Sequence, residues 1–172
     1  MRRLIEAAEI QAKVAQLGGQ IADDYRGRPL TVIGVLTGSV ILVSDLIRCI
    51  DLPLRVSMIQ ASSYRGKATV PGGISLDLSR LPDIRGRNVL VVDDILDTGH
   101  TLAAVIGHLR AAQACSVRGA VLLWKERRRE TEWLPDYYGF KIPDVFVVGY
   151  GLDYNDEHRS LPYVAALEAG DF

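Results

Sequence analysis

The chain has 172 residues, of which 48% are hydrophobic and 24% charged, and a formal net charge of -1. That length suits one domain able to bury a core without disulfide or metal staples. The near-neutral charge argues against a broad basic surface for nucleic acid, and no apolar run approaches the roughly 18 residues of a membrane helix.

The opening residues Met1-Arg2-Arg3-Leu4-Ile5-Glu6 regain charge at once, so no signal-peptide core is expected. Ile10, Val14, Leu17 and Ile21 recur at spacings of four, three and four, the stripe of a helix. Gly18-Gly19 weakens that helix, and a bend or break is expected there. Short β-branched apolar runs follow at residues 31–36, 54–59, 89–92, 120–124 and 145–148. Near-continuous apolarity, rather than alternation, predicts strands covered on both faces, as in a parallel sheet. Residues 40–50 and 101–112 read as helices, so strand, loop and helix alternate twice. Cys49 and Cys115 lack metal-ligand spacing and sit among apolar neighbours, which predicts buried free thiols of a reducing cytoplasm. In open parallel sheets ligands bind at the carboxyl ends of strands, here after Leu36, Val92 and Val148.

The segment Val89-Leu90-Val91-Val92-Asp93-Asp94-Ile95-Leu96-Asp97-Thr98-Gly99-His100-Thr101 concentrates the chemistry. A buried strand runs straight into two adjacent carboxylates, a costly juxtaposition unless hydroxyls or a cation meet them. Sugar hydroxyls and a hard divalent cation would supply both needs. Asp97-Thr98-Gly99-His100-Thr101 then opens a helix whose unpaired N–H groups and positive dipole end suit a phosphate monoester. A plainer reading has Asp97 or Thr98 only capping the helix. No Walker A loop and no dinucleotide glycine fingerprint is present.

Three further stretches stand out. Leu36-Thr37-Gly38-Ser39 is a small-residue turn that exposes backbone donors to an anion, or a plain turn capped by Ser39. Ala61-Ser62-Ser63-Tyr64-Arg65-Gly66-Lys67, followed by Pro71-Gly72-Gly73, reads as a long polar loop of the kind that closes over sites. Lys125 follows the strand ending in Trp124, and the run from Pro135 to Asn155 is rich in aromatic residues. Arg127-Arg128-Arg129 reads as a solvated basic turn.

The central segment resembles the phosphoribosyl-pyrophosphate motif of type I phosphoribosyltransferases, and the run 135–155 resembles the hood of hypoxanthine-guanine phosphoribosyltransferases. The similarity covers about residues 5–166. It implies an α/β fold: a parallel sheet of about five strands flanked by helices, with a small hood subdomain. The whole chain would form a single domain, 1–172, with a hood built from the N-terminal segment and about 135–172, and a mobile loop at about 62–80. By the same resemblance Asp93 and Asp94 hold the ribose of phosphoribosyl pyrophosphate (PRPP), and Asp97, Thr98, Gly99, His100 and Thr101 cradle its 5′-phosphate. Leu36, Thr37, Gly38, Ser63, Tyr64 and Arg159 meet pyrophosphate, although the family often carries Lys where Thr37 stands. Phe146 stacks on the purine, Lys125 donates to its 6-oxo group, and Ile95, Val147 and Asp153 complete the base pocket. Asp97 is the implied proton acceptor, and Asp153, Asp93 and Asp94 the implied magnesium (Mg2+) contacts.

The function implied is transfer of phosphoribosyl from PRPP to N9 of hypoxanthine or guanine in purine salvage. A homodimer or homotetramer in the cytoplasm is expected, with no nucleic acid or membrane partner. A related enzyme for xanthine or a pyrimidine, or a nucleotide-sensing regulator on the same fold, are the alternatives. The regulator would need a basic face or an appended helix-turn-helix, and neither is present in the sequence.

Overall fold

The computed structural model describes residues 1–63, 74–168, 170 and 171. In chain order the elements are β1 (Arg2–Ile5), α1 (Ala7–Asp24), β2 (Leu30–Leu36), α2 (Val40–Cys49), β3 (Leu54–Ser63), β4 (Ile74–Asp77) and β5 (Asn88–Leu96). There follow α3 (His100–Ala111), β6 (Ser116–Trp124), a 3-10 turn (Glu126–Arg128), β7 (Tyr137–Lys141), β8 (Val147–Val148) and β9 (Val164–Ala166). A six-stranded sheet runs in the order β4-β3-β2-β5-β6-β7, and a three-stranded sheet in the order β1-β9-β8. Every pairing from β3 to β7 in the larger sheet is parallel, and only the edge strand β4 is antiparallel. The expected parallel sheet of about five strands is therefore present, carrying one antiparallel edge.

Helices cover both faces of this sheet, which explains the unbroken apolar runs. Along β5, Leu90 and Val92 pack with α1 and α2 residues such as Val14, Leu17 and Leu46. Val89 and Val91 pack on the opposite side with Leu102, Val105 and Leu109 of α3. A strand buried on both faces leaves little place for polar residues along its middle.

The stripe on α1 is buried as its spacing predicts, but the helix does not break at Gly18-Gly19. Gly18 lies against Cys49 at the end of α2, so closely that a Cβ there would collide with it. The glycine admits a neighbouring helix rather than a bend. Cys49 is partly buried and Cys115, in the turn before β6, is exposed; both are free, so the expectation of two buried thiols fails for Cys115.

Two strand assignments also change. Of residues 145–148 only Val147–Val148 is a strand, and it belongs to the three-stranded antiparallel sheet. The fifth parallel strand is Tyr137–Lys141, paired with β6. As an edge strand it alternates buried Tyr137 with exposed Tyr138, so it lacks the continuous apolar signal. Residues 62 and 63 are the end of β3, which pairs with β4 from Gln60↔Asp77 to Ser63↔Ile74. Residues 62–63 and 74–77 of the loop expected at 62–80 are thus paired antiparallel strand. Residues 64–73, including Tyr64, lie outside the described residues.

Candidate active site

β2 and β5 are parallel neighbours, in register at Gly34↔Val92. From β2 the chain moves outward to β3, and from β5 it moves the opposite way to β6. The loops leaving their carboxyl ends therefore part and leave a crevice, the place where open α/β sheets bind ligands.

The turn after β2 borders this crevice on one side. Its Leu36–Thr37 peptide is cis. Ser39 stands at the start of α2, but its buried hydroxyl donates back to the Val35 carbonyl at 2.6 Å rather than capping the helix. Gly38 has no room for a side chain, because a Cβ would overlap the Asp94 carboxylate. On its other side the Gly38 carbonyl abuts Gly151, whose φ of +100° favours glycine. Arg159 donates to the Gly151 carbonyl at 2.9 Å and pairs with Asp153 at 2.8 Å. The turn, the Asp94 carboxylate and the segment carrying Arg159 are therefore stacked, with glycine at each close approach.

On the other side, Asp93, Asp94, Ile95, Leu96, Asp97, Thr98, Gly99, Thr101 and Leu102 line one cavity of about 220 Å³. Helix α3 begins with Gly99 as its N-cap, at φ +92°, so neither Asp97 nor Thr98 takes the capping place. A Cβ on Gly99 would strike the Thr131 hydroxyl, which is buried without a hydrogen-bond partner. The Glu130 amide donates to the Thr98 carbonyl at 2.9 Å, so residues 130–131 back the cradle. His100 stands in the first turn of α3. Its ring does not line the cavity and instead meets Glu130 at 2.8 Å, which leaves only its backbone in the first turn of α3.

Asp93 is buried, and its carboxylate accepts from the Asp94 amide at 3.0 Å. Burial, with the Asp94 charge added, pushes the Asp93 carboxyl well above the usual carboxylate range. Asp94 is also raised by burial, with the Asp93 hydrogen bond and then the Arg159 charge among the opposing influences. Carboxyls raised in this way hold protons more tightly in the folded chain than in the unfolded one. Their contribution to stability is complete below the ordinary carboxylate range and is lost as pH rises through the raised folded values. At neutral pH the ligand-free protein carries the cost of this buried pair. Asp93→Asn keeps an acceptor for the Asp94 amide and removes one charge, so it should melt at a higher temperature than wild type at neutral pH. The difference should shrink toward about pH 4, where carboxylates ordinarily protonate. Melting curves across that range check it, and a variant that melts lower at neutral pH would contradict the sign.

Lys125 follows β6 at the sheet's carboxyl edge and is 5% exposed. Its amide donates to the Leu96 carbonyl at 2.9 Å. Its ammonium lies 3.6 Å from Asp97 Oδ2 and 3.5 Å from Asp144 Oδ1. Arg128 Nε lies 3.2 Å from Asp97 Oδ1, and its Nη1 donates to Asp144 Oδ1 at 3.2 Å. The basic turn is thus not simply solvated: Arg128, although exposed, reaches both Asp97 and Asp144. Sequence reasoning missed both Arg128 and Asp144. The available signal was position, since both sit just beyond the carboxyl ends of parallel strands.

Phe146 is 45% exposed and meets Tyr154 edge-on at 5.6 Å between ring centroids. The exposed part of the ring can take a flat apolar group. Val147 is buried in β8, and the Asp153 carboxylate accepts from the Asp156 amide at 2.9 Å. Ser63 ends β3 on the sheet's far side from β5.

Of the expected magnesium contacts, Asp93 and Asp94 adjoin in β5, and Asp153 lies on the segment that carries Arg159. Among the described residues no three His, Cys, Asp or Glu side chains come together as a metal-ligand group. Asp153 is instead held by Arg159. The donor chemistry of Asp93 and Asp94 still fits magnesium in another way. Two adjacent carboxylates, one buried and one partly buried, with raised proton affinity are hard oxygen donors, and magnesium is commonly held by one or two carboxylates with substrate oxygens and water completing the shell.

Comparison with known proteins agrees with this geometry. The family model described as phosphoribosyl transferase domain matches residues 4–155. A hypoxanthine-guanine phosphoribosyltransferase from Staphylococcus epidermidis is 39% identical over 166 residues, covering 96% of this chain and 93% of that protein. The crystal structure of a hypoxanthine phosphoribosyltransferase from Staphylococcus aureus superposes with a TM-score of 0.92 at 38% identity, covering 97% of this chain and 91% of the other. A Trypanosoma cruzi hypoxanthine phosphoribosyltransferase variant in a ternary complex with substrates superposes with a TM-score of 0.93 at 34% identity, covering 99% and 96%. A strand-to-helix carboxylate motif at the switch point, in a chain aligned end to end with these enzymes, leads to one assignment: the chain belongs to the phosphoribosyltransferase family.

Proposed function

We propose that the chain transfers the 5-phosphoribosyl group of PRPP to N9 of hypoxanthine or guanine, giving IMP or GMP and pyrophosphate. The observation that carries this reading is the cavity lined by residues 93–99, 101 and 102, with Gly38 pressed on Asp94 at one side and the buried Lys125 ammonium 3.6 Å from Asp97 at the other. Carboxylate, anion-binding turn and base-reading cation then follow one another along a single crevice.

In this reading Asp93 and Asp94 accept from the ribose hydroxyls, and residues 97–101 bind the 5′-phosphate at the start of α3. The Leu36-Thr37-Gly38 turn, Ser63, Tyr64 and Arg159 take pyrophosphate. Phe146 stacks on the purine, beside Ile95, Val147 and Asp153. Lys125 donates to the 6-oxo oxygen, which favours oxopurines over adenine, whose amino group offers no acceptor there. Asp97 accepts the proton that the imidazole part of the base must lose, whether from N7 or N9. Magnesium, held by Asp93 and Asp94 with substrate oxygens, would neutralise pyrophosphate as it leaves. The three-stranded sheet, drawn from both ends of the chain, serves as the hood. The family resemblance supports a homodimer or homotetramer in the cytoplasm. Among the described residues no helix is long and apolar enough to cross a membrane.

Lys125→Ala tests the base assignment. The KM for hypoxanthine and guanine should rise by the equivalent of roughly 1.5–3 kcal/mol, the scale of a hydrogen bond to a charged group, while that for PRPP barely changes. Steady-state rates with each substrate varied in turn measure this, and equal losses toward base and PRPP would make Lys125 structural.

A further inference from the structure

We infer that Arg128 and Asp144 are a positioning pair for the transfer: they keep Lys125 and Asp97 apart so that a base can enter between them. The inference rests on the oxopurine reading given above. Four charges close a ring. Arg128 Nε is 3.2 Å from Asp97 Oδ1, and Arg128 Nη1 donates to Asp144 Oδ1 at 3.2 Å. Lys125 Nζ lies 3.5 Å from that same Asp144 oxygen and 3.6 Å from Asp97 Oδ2. The members come from three separate loops: the one leaving β5, the 3-10 turn after β6, and the stretch between β7 and β8 that leads to Phe146.

The distances say what the ring does. Contacts of 3.5 and 3.6 Å are longer than a good N–H···O bond, so the Lys125 ammonium is drawn toward two carboxylates and closed on neither. It sits 5% exposed. At such a depth a lysine and a lone aspartate attract strongly and would close into a direct pair. Asp144 draws the ammonium the other way, and Arg128 shares both carboxylates. Without them Lys125 closes onto Asp97, and the donor and the acceptor meant for the base satisfy each other instead.

The ring also balances the proposed step. The base's N–H bond breaks, its electron pair stays on the purine, and an O–H bond forms on Asp97. The ring then passes from neutral to one surplus positive charge. Arg128 and Asp144 still neutralise each other, so the surplus is that of Lys125, beside the 6-oxo oxygen. An arginine suits this place because its planar fork reaches two carboxylates at once, which a lysine does less well.

Arg128→Met, Arg128→Lys, Asp144→Asn and the Met/Asn double variant test the pair by steady-state kinetics on hypoxanthine and on PRPP. Arg128→Met should raise the hypoxanthine KM and lower kcat, reducing kcat/KM for the base by roughly ten- to hundredfold, the scale of a misplaced reacting group. The KM for PRPP should stay within about twofold of wild type. Arg128→Lys should recover part of the loss. Asp144→Asn should harm the base KM in the same direction, and the double variant should be little worse than the poorer single one, as for residues that act as a unit. Arg128→Met with wild-type hypoxanthine kinetics overturns the inference. So does an equal loss toward hypoxanthine and PRPP, with a lowered melting temperature and no recovery in Arg128→Lys, because that pattern describes a structural role. A wild-type protein inactive on every oxopurine would sink the function reading together with this one, whereas an active wild type with an unaltered Arg128→Met sinks this one alone.

Discussion

Asp97→Asn is expected to lower kcat by roughly 10²–10⁴-fold, the range for general acid–base groups, while the affinity for PRPP barely changes. Two observations set this expectation against a structural role for Asp97. Helix α3 starts on Gly99, so the carboxylate is not its cap and amide replacement should leave the helix intact. Its buried Oδ1 lies 3.2 Å from Arg128 Nε with no well-aligned hydrogen bond, while Oδ2 lies 3.6 Å from Lys125. An asparagine keeps the shape and one acceptor and loses the charge that faces Lys125 and Arg128 together with the ability to take a proton. Single-turnover rates must accompany kcat, because product release limits many enzymes and would hide a chemical defect. Retention of most of the single-turnover rate would remove Asp97 from the proton-transfer role.

Gly38→Ala should be nearly as damaging, by a different route. The added methyl would occupy the place of the Asp94 carboxylate, and the Gly38 carbonyl cannot retreat because it abuts Gly151. Either Asp94 swings out of the ribose site or the turn lifts off the crevice. Overpacking of this kind costs about 1–3 kcal/mol of stability. Displacing the donor-binding groups by even about 1 Å can reduce kcat/KM for PRPP by roughly 10²-fold. The two losses should appear together, in melting temperature and in PRPP kinetics, with the base KM less affected. A Gly38→Ala variant with normal PRPP kinetics would mean that the turn and Asp94 do not act at one site.

How far these features could be read from the chain depended on how local their physics is. β2, β5 and β6 are covered on both faces, and that condition writes an unbroken apolar run into each of them. The cradle at 93–101 was legible because strand end, carboxylates and helix start follow one another in nine residues. β7 was not, because an edge strand needs to bury only alternate side chains, as Tyr137 and Tyr138 do. Gly18 looked like a helix breaker until Cys49 was found packed on it. Arg128 and Asp144 left no periodic trace, since their partners lie on other loops and three consecutive arginines look alike in a sequence. His100 sat in the right motif but turned its ring to Glu130. Residues whose role comes from a distant partner stay hidden until the chain is folded.

The central claim is transfer of phosphoribosyl to an oxopurine, and product formation tests it most directly. The protein is mixed with PRPP, magnesium and one of hypoxanthine, guanine, xanthine, adenine or uracil, and nucleotide and pyrophosphate are both quantified, with a chelator control. The account predicts one pyrophosphate released per IMP or GMP formed, turnover on hypoxanthine or guanine well above that on adenine and uracil, and loss of turnover in excess chelator that added magnesium restores. Turnover on uracil or adenine exceeding that on every oxopurine, or no nucleotide from any base, would contradict it.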